Sequence, residues 1–414
     1  MNANLKSGEF PSENIKINIC GSKSESNRLL IMQAEFPNVS IENLSDSDDT
    51  AVLQKGLKIL KGTVDVHHAG TAMRFLTSYF AAKKGADVLL TGSQRMQERP
   101  IEILVNALRK LGADIEYVKS EGFPPLRIKG KNLLKNEVTI KADVSSQYIS
   151  ALMLIAPMLP AGLKISLEGK TTSLPYIEMT LQLLKNIGVT GNFSGNSIEI
   201  SYPESVEDVH MVVESDWSSA SYFYSLVALS ENLQVTLGSF SEESFQGDAA
   251  LAQLYKSLGV ETVFNTSEKT ISISKKSIEL PDSLLLDLTN TPDLAQTIAV
   301  SCFGLGIGCR LTGLHTLKIK ETDRLLALKT ELEKLGASVH IDENSLNLEK
   351  SLKINNGIAV ETYQDHRMAM AFAPLALKTE IRINNAGVVS KSYPRFWEDM
   401  EKTGIICVFE EIEN

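Results

Sequence analysis

A phrase that closes a helix and opens a strand recurs along this chain, and it restricts the possible folds more than any other feature. It reads Leu108-Arg-Lys-Leu-Gly112-Ala-Asp, then Leu184-Lys-Asn-Ile-Gly188-Val-Thr, Tyr255-Lys-Ser-Leu-Gly259-Val-Glu and Leu332-Glu-Lys-Leu-Gly336-Ala-Ser. Each glycine suits the C-terminal cap of an amphipathic helix, and alternating residues that suit a strand follow it. A second short strand comes after each phrase: Pro125-Leu-Arg-Ile128, Ser197-Ile-Glu-Ile200, Thr270-Ile-Ser-Ile273 and Ser345-Leu-Asn-Leu348. The glycines stand 76, 71 and 77 residues apart. A long period that contains helices and paired strands implies a duplicated α/β unit. Chance recurrence in an ordinary α/β protein is the alternative, and the even spacing favours duplication.

At 414 residues the chain exceeds one ordinary core and fits two domains. A net charge of −10 gives no general attraction for nucleic acid or anionic lipid. Any anion must therefore be met by locally gathered cations. Cys20, Cys302, Cys309 and Cys407 lack CxxC spacing and read as reduced packing residues, which suits a cytoplasmic enzyme. The start, Met1 to Gly21, has no apolar signal core. The apolar runs Ile149–Leu159 and Ile298–Gly308 are too short to cross a bilayer and read as buried helices or strands.

Six stretches put basic or polar residues where helices should begin. Cations are mildly unfavourable in a first turn, so their repetition suggests that they and the free N–H groups serve bound anions. In Gly21-Ser-Lys-Ser-Glu-Ser-Asn-Arg28, Ser24 is a candidate cap, with Lys23 and Arg28 aimed at one pocket or simply solvated. In Ala69-Gly-Thr-Ala-Met-Arg74, Gly70 allows close backbone approach to a ligand, while Arg74 either faces that ligand or lies along the surface. In Arg95-Met-Gln-Glu-Arg99-Pro100, Pro100 suits the first helical position and puts Arg99 at the cap, a poor capping residue unless it has an anionic partner. In Asp143-Val-Ser-Ser-Gln147, Ser145 and Ser146 are good caps that could equally hold phosphate or ring hydroxyls with Gln147. In Lys318-Ile-Lys-Glu-Thr-Asp-Arg324, Lys320 and Arg324 are either i,i+4 neighbours on a solvated helix or the two sides of an anion site, with Glu321 as an acid or base. In Gln364-Asp-His-Arg367, Asp365 is a plausible cap, with His366 and Arg367 in the first turn. Lys391-Ser-Tyr-Pro394 adds a lysine that gains weight only from the others.

In this order the stretches resemble the phrases of the EPSP synthases (3-phosphoshikimate 1-carboxyvinyltransferases), an enolpyruvyl transferase family, from residue 21 to 394. Lys320-Glu-Thr-Asp-Arg324 and Asp365-His-Arg-Met-Ala-Met370 are the more specific matches; Ser173-Leu-Pro-Tyr176, Asp216–Tyr222, Gln246-Gly-Asp248 and Thr291-Pro-Asp293 are secondary ones. The resemblance implies an α/β, two-domain, inverse α/β barrel-like fold of six βαβαββ repeats, with the active site in the interdomain cleft. Residues 1–20 and 214–414 are expected to form one discontinuous domain, and residues 21–213 the other.

By matching position, the resemblance assigns shikimate-3-phosphate to Lys23, Ser24, Arg28, Ser145, Ser146, Gln147, Ser173, Tyr176, Asp293, Thr316 and Lys320. It assigns phosphoenolpyruvate to Lys23, His68, Gly70, Arg99, Gln147, Arg324, Arg367 and Lys391. The implied reaction is addition followed by elimination, with Asp293 as proton acceptor, Glu321 as proton donor, and Lys23 and Lys391 near the moving charge. Positioned charges and an acid–base pair suffice for such chemistry, so no metal or organic cofactor is expected. The expected protein is a cytoplasmic monomer acting on two small molecules. Four positions depart from the family pattern: His68 and Thr316 where Asn is usual, and Phe75 and Cys20 where Pro is usual. Gly70 is expected to leave room for glyphosate, although Phe75 could reshape that pocket. Two rivals stand beside this reading. The sister transferase acting on UDP-N-acetylglucosamine carries a loop cysteine, and none occurs here between Gln94 and Arg99. A non-catalytic anion-binding descendant would not need Lys23, Asp293, Glu321, Arg324 and Lys391 together.

Overall fold

In a computed structural model, the structure describes residues 1–9, 14–142, 145–169 and 171–411. The chain forms two compact bodies, one of residues 21–213 and one of residues 1–20 with 214–414. Each has its own apolar core.

One βαβαββ plan accounts for both bodies. Its cleanest copy runs from the strand Glu137–Lys141 through α6 (Ser146–Ile155), the strand Leu163–Glu168, α7 (Leu174–Asn186) and the hairpin Gly191–Ser194 and Ser197–Ile200. The first two strands pair parallel, and the hairpin closes the sheet antiparallel. Ile198 and Ile200 point into the core and Glu199 points out, which is the alternation expected of a sheet with one buried face. In the same body, Lys61–Asp65, α3 (Gly70–Ala82), Asp87–Thr91, α4 (Gln94–Gln97) with α5 (Glu102–Leu111), and the hairpin Asp114–Tyr117 and Leu126–Lys129 repeat the plan. The third copy is short. Val209–Val212 pairs with Val39–Glu42 beside α1 (Lys23–Glu35) and α2 (Asp48–Gly56). Because α2 ends at Gly56 and the next strand starts at Lys61, no closing hairpin fits between them.

The other body holds three full copies. Ile15–Ile17, α8 (Trp217–Leu229), Gln234–Gly238, α9 (Leu251–Leu254) and the hairpin Val260–Asn265 and Thr270–Lys275 make one. Ser283–Asp287, α10 (Ala295–Leu305), Gly308–Thr312, α11 (Arg324–Lys334) and the hairpin Val339–Ile341 and Leu346–Leu348 make the next. The last takes Ile358–Val360, α12 (His366–Phe372), Ile381–Ile383, α13 (Phe396–Lys402) and Ile405–Glu410, and borrows the strand Asn2–Ser7 to finish its sheet.

Gly112, Gly188, Gly259 and Gly336 all adopt positive φ, at 106°, 88°, 77° and 101°, where a side chain would be strained. A fifth, Gly404, does the same at 91°. Its phrase was not legible because Thr403 stands where the other copies have Leu or Ile. The apolar run from Ile149 is mostly α6, and the run from Ile298 is mostly α10; both are buried nearly all round, as continuous hydrophobicity requires. All four cysteines are thiols, and Cys20, Cys302 and Cys309 are buried. Among the described residues, no helix is long and apolar enough to cross a membrane.

Candidate functional site

The candidate residues fall into two groups, one in each body. In the body of residues 21–213 they gather at the N-terminal ends of α1, α3, α6 and α7. Helix α1 starts at Lys23, and its cap is Ser22 rather than Ser24: the Ser22 hydroxyl accepts from Glu25 N at 3.5 Å. Lys23 therefore stands in the first turn, with Nζ 3.5 Å from Asp49 Oδ2. One turn on, Arg28 is buried and donates to Thr180 Oγ1 at 2.7 Å, to the Ser24 carbonyl at 2.7 Å and to Ser150 Oγ at 3.0 Å. Its guanidinium also faces the rings of Phe75 and Tyr176. Burial lowers its pKa to about 10, against opposing pulls from Tyr176 and Glu25. Arg28 thus ties α1 to α6 and α7.

Ser145 caps α6, accepting from Gln147 N at 3.3 Å, and Ser146 is the first helical residue. Asp143 and Val144, in the same stretch, lie outside the described residues. The Gln147 amide donates to Thr71 Oγ1 at 3.2 Å, which joins the starts of α6 and α3. Ser173 precedes α7 in the left-handed region, at φ 53°, and Tyr176 lies in that helix's first turn. A non-glycine residue held there costs about 1–3 kcal/mol and marks a tightly determined turn.

Pro100 does not open a helix: α4 ends at Gln97 and α5 begins at Glu102, so Arg99 lies between them and caps neither. Its guanidinium lies against Gly70 instead, and its buried Nε has no hydrogen-bond partner among the described residues. Arg74 does not lie along the surface. It is buried and donates to the carbonyls of Gly70 at 3.2 Å and Pro100 at 3.3 Å, fixing the loop that carries Arg99. Tyr148 OH donates to the same Pro100 carbonyl at 2.6 Å. His68 is exposed, with Nδ1 2.9 Å from Ser93 Oγ.

The second group lies in the body of residues 1–20 and 214–414, around Asp293. Helix α11 begins at Arg324 with Asp323 as cap, so Lys320 and Glu321 precede the helix and are not its i,i+4 partners. Lys320 Nζ is 3.7 Å from Asp293 Oδ1, and Arg324 Nη1 donates to the same oxygen at 2.9 Å. The anion between these cations is thus the protein's own carboxylate. Arg324 also donates to Glu321 Oε2 at 2.8 Å and to Asp365 Oδ2 at 2.6 Å. Arg367 reaches Asp293 Oδ2 at 3.1 Å. Asp365 caps α12 as anticipated, accepting from Arg367 N at 2.9 Å. Lys391 Nζ donates to the Gln364 carbonyl at 2.7 Å. Thr316 is buried, and its hydroxyl has no hydrogen-bond partner among the described residues.

Burial alone would raise the Asp293 pKa; Arg367, Lys320 and Arg324 outweigh it and hold the carboxyl well below the usual range. Asp293 raises the Lys320 pKa, but burial and the neighbouring Arg324 and Arg367 leave it lowered overall. Asp248 is pushed up to about 7 by burial, Asp293 and Asp216. This carboxyl belongs to the Gln246-Gly-Asp248 phrase, which gave it no role in the sequence. Asp49, Ser150 and Thr180 were not anticipated either, since no local pattern marks them.

The EPSP synthase family model, described as EPSP synthase (3-phosphoshikimate 1-carboxyvinyltransferase), matches residues 61–400. A 3-phosphoshikimate 1-carboxyvinyltransferase of Bacteroides fragilis is 45% identical over 392 residues, covering 94% of this chain and 95% of its own length. One from Haemophilus influenzae is 34% identical over 426 residues, covering 95% and 96%. The solved EPSP synthase of Acinetobacter baumannii has the same fold, with a TM-score of 0.77 at 20% identity over 99% of this chain and 100% of that one. The enolpyruvyl transferase NikO of Streptomyces tendae follows with a TM-score of 0.69 at 15% identity, covering 98% of each chain. The family model and these relatives together show that this chain belongs to the EPSP synthase family.

Proposed function

We propose that the protein transfers the enolpyruvyl group of phosphoenolpyruvate to the 5-hydroxyl of shikimate-3-phosphate, as a step of the shikimate route to aromatic amino acids. The observation that carries this reading is Asp293 and Glu321, a potential acceptor and donor of protons, both bound to one buried Arg324. Shikimate-3-phosphate is held by Lys23, Ser24, Arg28, Ser145, Ser146, Gln147, Ser173 and Tyr176, and by Asp293, Thr316 and Lys320. Phosphoenolpyruvate is held by Lys23, His68, Gly70, Arg99, Gln147, Arg324, Arg367 and Lys391.

The 5-hydroxyl oxygen bonds to C2 of phosphoenolpyruvate and gives its proton to Asp293, while C3 takes a proton from Glu321. The tetrahedral intermediate then breaks its C2–O bond to the phosphate, which leaves with the bonding pair, and a C3 proton returns to the Glu321 carboxylate as the C2–C3 double bond forms again. Asp293 is a weak base while Arg367 and Arg324 hold it. An arriving anion that competes for those guanidiniums raises its proton affinity when substrate is bound. No cofactor enters this scheme, and the protein works as a cytoplasmic monomer.

The test is phosphate release from phosphoenolpyruvate plus shikimate-3-phosphate. Release with UDP-N-acetylglucosamine but not with shikimate-3-phosphate would overturn the assignment. Calorimetric binding of both substrates without turnover would point instead to a non-catalytic descendant.

A further inference from the structure

Glu331 lies in α11, two turns beyond Arg324, with its side chain wholly buried. A buried carboxylate is costly unless its oxygens are satisfied. Here Oε1 accepts from Tyr363 OH at 2.6 Å and Oε2 from the backbone N–H of Glu361 at 3.1 Å. Lys334 Nζ donates to both oxygens, at 2.9 and 2.7 Å. Two of these partners belong to the segment between the strand Ile358–Val360 and α12. That segment is unusual. Tyr363 and Gln364 both adopt left-handed backbone, at φ 52° and 58°, without being glycine. Such residues persist only where surroundings over-determine them. The next groups along are the Gln364 carbonyl, which accepts from Lys391, and Asp365, which binds Arg324 and caps Arg367. Burial and Glu331 both push the Tyr363 phenol up, so it remains the donor that this contact needs.

We propose that Glu331 and Tyr363 are positioning residues, which hold the Tyr363–Gln364 turn so that Lys391, Arg324 and Arg367 stand where the reaction needs them. The inference rests on the function proposed above. Neither residue touches the reacting groups; both act through the turn.

Tyr363→Phe removes the hydroxyl and keeps the ring, and Glu331→Gln keeps the shape while removing the charge. Phosphate release and thermal unfolding are measured on both variants, on Lys391→Ala, and on Tyr363→Phe combined with Lys391→Ala. The expected result is a fall in kcat/KM for phosphoenolpyruvate of about tenfold in Tyr363→Phe, since small misplacements of catalytic groups are amplified in rate. In the Lys391→Ala background the same change should cost much less, because residues acting through one another are not additive. An equal cost in both backgrounds, or a lowered Tm with unchanged kcat and KM, overturns the inference. An unsubstituted enzyme without turnover overturns the proposed function and this inference with it.

Discussion

Arg99 occupies the space that a side chain at position 70 would need. A methyl on Gly70 would stand 2.6 Å from Arg99 Nη1 and 3.2 Å from its Cζ. Glycine at the first position of α3 thus lets a guanidinium reach the helix start, where free N–H groups also favour anions.

Gly70→Ala is therefore expected to displace Arg99 with little effect on folding, because the obstacle is the end of a flexible side chain. The KM for phosphoenolpyruvate should rise about tenfold, and inhibition by glyphosate, expected of the unsubstituted enzyme, should weaken. Steady-state kinetics with and without glyphosate check both. An unchanged KM would remove Arg99 from the site, and an unsubstituted enzyme indifferent to glyphosate far above the phosphoenolpyruvate KM would remove the inhibitor expectation.

Glu321→Gln keeps a polar contact to Arg324 but cannot donate a proton to carbon as a carboxylic acid does. Turnover should fall by about 10²–10⁴, the usual range for general acid–base groups. Calorimetric binding of shikimate-3-phosphate should survive. Turnover within threefold of the unsubstituted enzyme would rule out Glu321 as donor.

Asp365→Asn leaves the Arg324 guanidinium buried beside one fewer charge. Breaking a buried pair from one side costs roughly 3–5 kcal/mol. For a body of about 200 residues each kcal/mol shifts Tm by about 2–4 °C, so differential scanning calorimetry should record a fall of roughly 6–20 °C. A smaller fall would mean that Asp293 and Glu321 already compensate the cation.

Asp248 makes stability depend on pH in a direction opposite to that of a salt-bridged carboxylate. Its folded pKa is raised from 3.8 to about 7, so between those values the folded state holds a proton that the unfolded state has lost. Its contribution therefore favours folding below that window and is lost as pH rises through it. Asp248→Asn removes this penalty, so the variant should gain Tm over the unsubstituted protein as pH rises from 4 toward 7. Parallel Tm profiles across that range would contradict the assignment.

Local pattern along the chain was enough to read the repeated unit and most of the residues near helix starts. Helix ends, glycine caps and strand alternation are local properties, so Gly112, Gly188, Gly259 and Gly336 could be read without partners. The hairpin strand Ser197–Ile200 was legible for the same reason. Reading failed where two local choices were nearly equal, as with Ser22 and Ser24 for the cap of α1, or where Pro100 suggested a helix that starts later. Tertiary structure alone decided which charge met which. Arg324 and Asp365 are separated by 41 residues, and Arg367 and Asp293 by 74. Only the packing of separate copies of the repeat brings such pairs within hydrogen-bond distance. A cation's protein partner is fixed by that packing, whereas its position near a helix start is fixed by the few residues around it.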